Sequence, residues 1–248
     1  MDWLMAFRAF ALFLLLAWWF FGIVAIAGGQ DRKLVPIRWG ALTGACGITL
    51  FAFQEELPRP LSFVLGNALM VLSPFLIAQG LWGLSGRVSS RLLVAAPPAA
   101  MAAVGFRWGL QEELFAPRFL ASSALLALGL AHGLRSAVHL PKRWLSRLLA
   151  FIMGYLVLVL IARIVVKLGL GVPWGSAFDP HPANAIILGA LMFGLAFLAL
   201  GLSILFFEHL PRADPAQGER PQRVGGPSPL TGRSKAAPSG FDDPAPRG

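Results

Sequence analysis

Ten polar residues hold the chemistry available to this largely apolar chain of 248 residues: Glu55, Glu56, Arg59, Asn67, Gln79, Glu112, Glu113, Arg118, His132 and Arg163. Six of them form two echoing clusters fifty-seven residues apart: Gln54-Glu55-Glu56-Leu57 with Pro58-Arg59, and Gln111-Glu112-Glu113-Leu114 with Pro117-Arg118. Carboxylates beside guanidinium groups suit a small charged ligand on the outer side of a membrane. They also suit the plain task of ending helices at its interface. A repeated helix-pair unit would generate the echo, as would chance reuse of helix-end chemistry, since the surrounding residues match poorly. Asn67, Gln79 and His132, with Tyr155 and Asn184, fall inside apolar stretches, where polar groups mark either interhelical hydrogen bonds or function. His132 shares a helical face with Arg135, whose snorkelling to a membrane surface accounts for the pair equally well. Arg163 stands one turn before Lys167 on one face; snorkelling explains both, whereas an Arg163 turned into a bundle is the best single anion-binding candidate.

Catalytic sets are missing from this inventory. No Gly-x-Ser-x-Gly elbow or His-Glu-x-x-His occurs, and the four histidines (His132, His139, His181, His209) lie in separate segments without ligand spacing. Gly226 to Ser234 is a faint echo of a phosphate loop, one residue too long, with Arg233 where Lys is required and no strand before it. The single cysteine, Cys46, lies in an apolar run, so neither a disulfide framework nor Cys-based metal ligation is available. The residues predict no enzyme, no cofactor and no metal.

The elements that must position the ten residues are apolar helices. Charged residues make up 13% of the chain, against roughly 25% in a soluble domain, and cannot cover a water-facing surface. Apolar segments that are candidate membrane spans fall at about 5 to 27, 38 to 54, 61 to 83, 91 to 106, 118 to 138, 144 to 166 and 183 to 207. The second, fourth and fifth have short uncharged cores that would also suit re-entrant segments. The first ends in an Ala-x-Ala pattern at Ala25 and Ala27, but it is longer than a signal-peptide core and reads as a retained helix.

Charge orients the seven. One side carries Arg32, Lys33, Arg38, Arg87, Arg91, Arg135, Lys142, Arg143 and Arg147, plus six further cations in the C-terminal tail; the other carries only Arg8, Arg59, Arg107, Arg118, Arg163 and Lys167. The positive-inside rule then places the N-terminus outside and the C-terminus in the cytoplasm. Trp3, Trp108 and Trp174 fall near outer ends and Trp39, Trp82 and Trp144 near inner ends, as interfacial rings do. Pro97 and Pro98 remove two backbone donors in mid-span and predict a kinked fourth helix. The fold expected is an all-α integral membrane bundle over residues 1–210. Residues 211–248, with eight prolines and six glycines, read as a disordered cytoplasmic tail.

The net charge of +9 is spread through short loops rather than gathered on a polar domain, so it predicts membrane anchors and no nucleic-acid partner. The bilayer itself is the first partner. Gly40-x-x-x-Gly44, Gly129-x-x-x-Gly133 and Ala190-x-x-x-Gly194 permit close helix approach, within one bundle or between protomers of a homo-oligomer.

The stretch Leu57 to Arg91, LPRPLSFVLGNALMVLSPFLIAQGLWGLSGRVSSR, resembles the bacterial multi-helix sensory membrane domain that precedes GGDEF diguanylate cyclase domains. A proline-led outer turn, a helix carrying Asn, a Gly-Leu inner end and a basic loop are the shared pattern, echoed at Pro141-Lys142-Arg143, over roughly residues 51 to 207. The cyclase sequence itself is missing; Pro229-Leu230-Thr231-Gly232 is similar to the opening of such a domain, by chance or as a remnant. The resemblance implies a non-enzymatic sensory or partner-binding module of a bacterial cytoplasmic (inner) membrane, read by a cytoplasmic or membrane protein. High Ala, Leu, Gly, Pro and Arg usage fits a GC-rich bacterial source. The alternative is a small-molecule transporter or transporter subunit, favoured by the prolines of the fourth helix and by Asn67, Gln79 and His132.

Overall fold

In a bilayer core no water satisfies backbone N–H and C=O groups, so long apolar segments must bond internally as helices. A computed structural model describes residues 3–27, 32–87, 89–108, 115–170 and 182–209, and among these residues it contains no strand. The helices are α1 (Trp3–Ala27), α2 (Val35–Ala52), α3 (Gly66–Leu84), α4 (Arg91–Trp108), α5 (Phe115–Ala137), α6 (Arg143–Leu170) and α7 (Pro182–Glu208). A 3-10 turn, Arg32–Leu34, leads into α2, and a π-helical turn, Pro60–Leu65, leads into α3. Among the described residues five stretches are long and apolar enough to cross a membrane: Arg32–Ala52, Pro60–Leu84, Pro117–Ala137, Arg143–Gly169 and Pro182–Glu208. They mark a multi-pass membrane protein. Residues 211–248 and the tail reading made of them lie outside the described residues.

Local chemistry sets the ends. Pro36 occupies the first turn of α2, where its missing N–H costs nothing. Helix α3 closes with Gly86 at φ +76°, which lets Arg87 N–H reach the Trp82 carbonyl at 2.9 Å and Gly86 N–H reach Gly83 at 3.2 Å. A side chain at Gly86 would be strained in that left-handed conformation. Helix α4 runs as one helix through Pro97 and Pro98.

The helices form a ring. Helix α2 packs most extensively on α3, α3 on α5, α5 on α6, α6 on α7 and α1 on α2, and a thinner contact of α1 with α7 closes the circle. Helix α4 stays outside, against α3 and α5, where Met101 meets Val71 and Phe75. On α1, Phe7, Ala11, Leu14 and Trp18 face inward at helical spacing, whereas Phe13, Leu16 and Trp19 are exposed.

Lipid gives apolar helices no hydrophobic reason to associate, so close backbone approach and dispersion hold the ring. Glycines make that approach possible. A methyl group on Gly47 would stand 2.7 Å from the Met70 nitrogen and 2.8 Å from the Gly66 oxygen, and one on Gly40 would stand 2.8 Å from the Ser73 oxygen. Gly129 is covered by Pro74 and Phe75, Gly133 by Met153, and Gly194 by Leu156 and Tyr155. All three small-residue faces are thus occupied within one chain. Gly154 and Gly189 would meet nothing within 4 Å.

Replacing Gly47 by Ala should lower thermal stability in detergent by about 1–3 kcal/mol, because the Met70 nitrogen and Gly66 oxygen it meets are backbone atoms that cannot step aside. Gly154→Ala should instead be neutral or stabilise by up to about 1 kcal/mol through helix propensity. Equal melting temperatures for the two variants would refute the glycine seam.

Candidate functional site

The ring frames a partly open cavity of about 180 Å³, lined by α1, α2, α3, α5, α6 and α7. One water molecule needs roughly 10–15 Å³ of such space, so the volume is more than a packing defect. Its walls are mainly Leu, Ile, Phe, Met and Ala, and polar groups gather toward one end: Asn67 from α3, Arg118 and Ser122 from α5, and Arg163 from α6. Ser73 of α3 adds a hydroxyl further along.

Each polar group is held by the element beneath it. Asn67 is buried and donates its amide to the Phe63 carbonyl at 2.7 Å, bridging the π-helical turn and the helix that follows. Arg118 is 7% exposed, and its guanidinium carbon lies 4.1 Å from the Phe63 ring centre. Arg163 covers Phe119 in the same manner at 4.0 Å. Aromatic faces attract cations, more strongly where water is excluded. They supply no hydrogen-bond acceptor in the ring plane, and among the described residues the buried Nε of Arg163 has no hydrogen-bond partner. Arg163 therefore faces the bundle interior, the orientation that makes it an anion-binding candidate.

Arg8, at the same end of the bundle, is treated differently. Its guanidinium donates to Glu56 at 2.5 Å and to the Ala52 carbonyl at 3.2 Å, and it lies over Phe53. That set ties α1 to the end of α2. Among the described residues the carboxylates are Glu55, Glu56 and Glu208; Glu56 serves Arg8, Glu208 pairs with Lys142, and Glu55 is exposed. Glu56 is thereby a structural partner.

Neither family models, nor curated proteins, nor solved structures match this chain. Function has to be read from the site.

The ten residues singled out in the sequence separate into distinct places. Asn67, Arg118 and Arg163 meet at the cavity. Glu55 and Arg59 are exposed beyond it, and Glu112 and Glu113 lie outside the described residues. Gln79 is half-buried, twelve residues or about 18 Å further along α3, and does not line the cavity. His132 lies fourteen residues, about 21 Å, beyond Arg118 on α5. There its Nε2 accepts from Trp82 Nε1–H at 3.3 Å and stands 3.4 Å from Ser89 Oγ, while Trp82 also stacks near His139 and under Arg87. This is a satisfied interhelical contact at the opposite end of the bundle. Tyr155 donates to the Ala190 carbonyl at 3.2 Å, again between helices. Ser73 and Ser122 line the cavity and escaped the sequence reading, because a serine in an apolar helix usually bonds its own backbone, as Ser122 does with Phe119.

Arg163→Met keeps the length of the side chain and removes the unpartnered Nε. The ligand-free variant should melt at the same temperature or higher, by about 1–3 kcal/mol, the usual cost of an unsatisfied buried donor. A loss of about 3–5 kcal/mol would instead mark Arg163 as half of a structural ion pair.

Proposed function

We propose that this chain is a seven-pass, non-enzymatic sensory module of a bacterial cytoplasmic membrane, with its N-terminus outside and its C-terminus inside. In this reading the helix ring takes up a small ligand in its outer half and passes its state to a partner protein through the basic cytoplasmic loops. The observation that carries it is the cavity, where Asn67, Arg118 and Arg163 converge on one end of an otherwise apolar lumen. Largely apolar sites with a few convergent polar groups are the usual form of a small-molecule site. Support also comes from the distribution of Lys and Arg and from the resemblance of Leu57 to Arg91 to cyclase-coupled sensory domains.

A ligand can shift such a ring only through unequal affinity for two arrangements of it. The thin α1–α7 contact is where rearrangement costs fewest interactions. The inner-end cluster of Trp82, His132 and His139 lies where a change in α3 and α5 would reach the cytoplasmic loops. The transporter alternative relied on a broken fourth helix and on Asn67 acting with His132. Helix α4 continues through its prolines, and Asn67 and His132 stand near opposite ends of the bundle.

Two measurements test this reading. In a Cys46→Ala background on intact cells, a membrane-impermeant maleimide should label Glu55→Cys and should label Arg143→Cys only after lysis; the reverse pattern would overturn the orientation. The full chain, tagged at its C-terminus and purified in mild detergent, should retain one stoichiometric protein, in an amount changed at least severalfold by the lumen-filling variant Ala199→Leu. Recovery of the chain alone, with saturable solute flux in liposomes that Asn67→Leu abolishes, would establish the transporter instead.

A further inference from the structure

Resting on the ligand-binding reading above, we infer that the lumen accepts an amphiphile with one alkyl chain and one anionic head, the head at Arg118 and Arg163 and the chain among the apolar walls. Head and tail are argued separately. The head must be anionic because the polar end of the cavity is cationic: Arg163 presents a buried Nε without a hydrogen-bond partner, and the described carboxylates are committed to Arg8 and Lys142 or exposed. A carboxylate or phosphate oxygen that reaches the guanidinium from the lumen supplies an acceptor and a countercharge that the Phe119 face does not. Asn67 and Ser122 border the same end and suit the remaining oxygens.

The tail follows from the length and chemistry of the lumen. Cavity-lining residues run along α3 from Asn67 to Ile77 and along α5 from Arg118 to Leu130, ten and twelve residues, or about 15 and 18 Å. That is roughly half the ~30 Å hydrocarbon core of a bilayer, the depth reached by one membrane acyl chain. Below Ser73 the walls are apolar, with Trp18, Ile77, Leu130, Leu198 and Leu202 surrounding the far end. A small hydrophilic anion would leave this portion unfilled; a neutral hydrocarbon would leave Arg163 unanswered.

Trp18 provides the readout. The full chain in nanodiscs of neutral lipid is titrated with dodecanoate carrying a terminal bromine, which quenches nearby indoles, and with the corresponding brominated dodecanol. The Trp18→Phe variant is subtracted to remove quenching of the lipid-facing tryptophans. The expected result is saturable, Trp18-dependent quenching by the carboxylate, at least tenfold weaker for the alcohol and at least tenfold weaker in Arg163→Gln, with Arg163→Lys within a few-fold of the unsubstituted chain. The comparison of acid with alcohol on the unsubstituted chain stands even if a variant fails to fold. Repeating the titration in nanodiscs containing anionic phospholipid separates two sources of the same chemistry: competition assigns the site to a lipid of the bilayer, and its absence assigns it to a free long-chain acid. Equal quenching by acid and alcohol would overturn the anionic head while leaving a ligand-binding lumen. No Trp18-dependent quenching by either would overturn this inference, while the reading on which it rests stands or falls with the partner-retention measurement above.

Discussion

The α2–α3 contact is the constraint on which the remaining architecture depends. Gly40 and Gly47 on one helix and Gly80 on the other allow the two backbones to approach to the point where a methyl group would strike main-chain atoms, and Gly44 makes room for the Ser73 side chain. In lipid this proximity is itself the source of attraction, since dispersion falls steeply with separation and no water is released when apolar helices meet. The pair then positions its neighbours. Helix α1 lies on α2, α5 lies on α3 through Gly129 beneath Pro74 and Phe75, and the walls carrying Asn67 and Ser73 turn toward the cavity.

A hollow ring follows from where α4 goes. Seven helices could bury one of their number in the centre, but α4 carries its small residues to the periphery of α3 and makes its close contact at Gly105 against Val64. The other six helices line the lumen. An apolar group entering such a volume gains dispersion contacts along every wall it meets. The ring is also uneven, thick at α2–α3 and thin at α1–α7. That asymmetry separates a rigid wall bearing Asn67 from a wall able to yield.

Much of the fold was legible because backbone satisfaction in lipid leaves helices as the answer to long apolar runs. The runs at 38–54 and 144–166 became Val35–Ala52 and Arg143–Leu170, the former starting earlier because Pro36 is tolerated in a first turn. The π-helical turn at Pro60–Leu65 left no periodic signature, whereas the helix expected through Pro97 and Pro98 is present as α4. Site residues were legible by type but not by direction. The same spacing serves an Arg163 that snorkels and one that faces inward, because helix rotation is decided by packing against neighbours rather than by the helix's own pattern. Gln79 and His132 were grouped with Asn67 by polarity alone, and the helices carry them toward the other end.

Arg8 and Arg163 show the physical distinction between a cation supplied with acceptors by the bundle and one that the proposed function assigns to a ligand. Both lie toward one end of the ring, and each has an aromatic face, Phe53 for Arg8 and Phe119 for Arg163. Arg8 also receives a carboxylate and a backbone carbonyl, which offset the cost of withdrawing a guanidinium from water. For Arg163 the described residues provide the ring face and no acceptor for the buried Nε. A ring face contributes on the order of 2 kcal/mol where solvent is excluded, less than a desolvated charge demands. Folding alone gains nothing from that imbalance, since Met or Leu would fill the position at lower cost. A guanidinium left short of acceptors at the mouth of an apolar lumen is explained when the missing acceptor arrives from outside the chain.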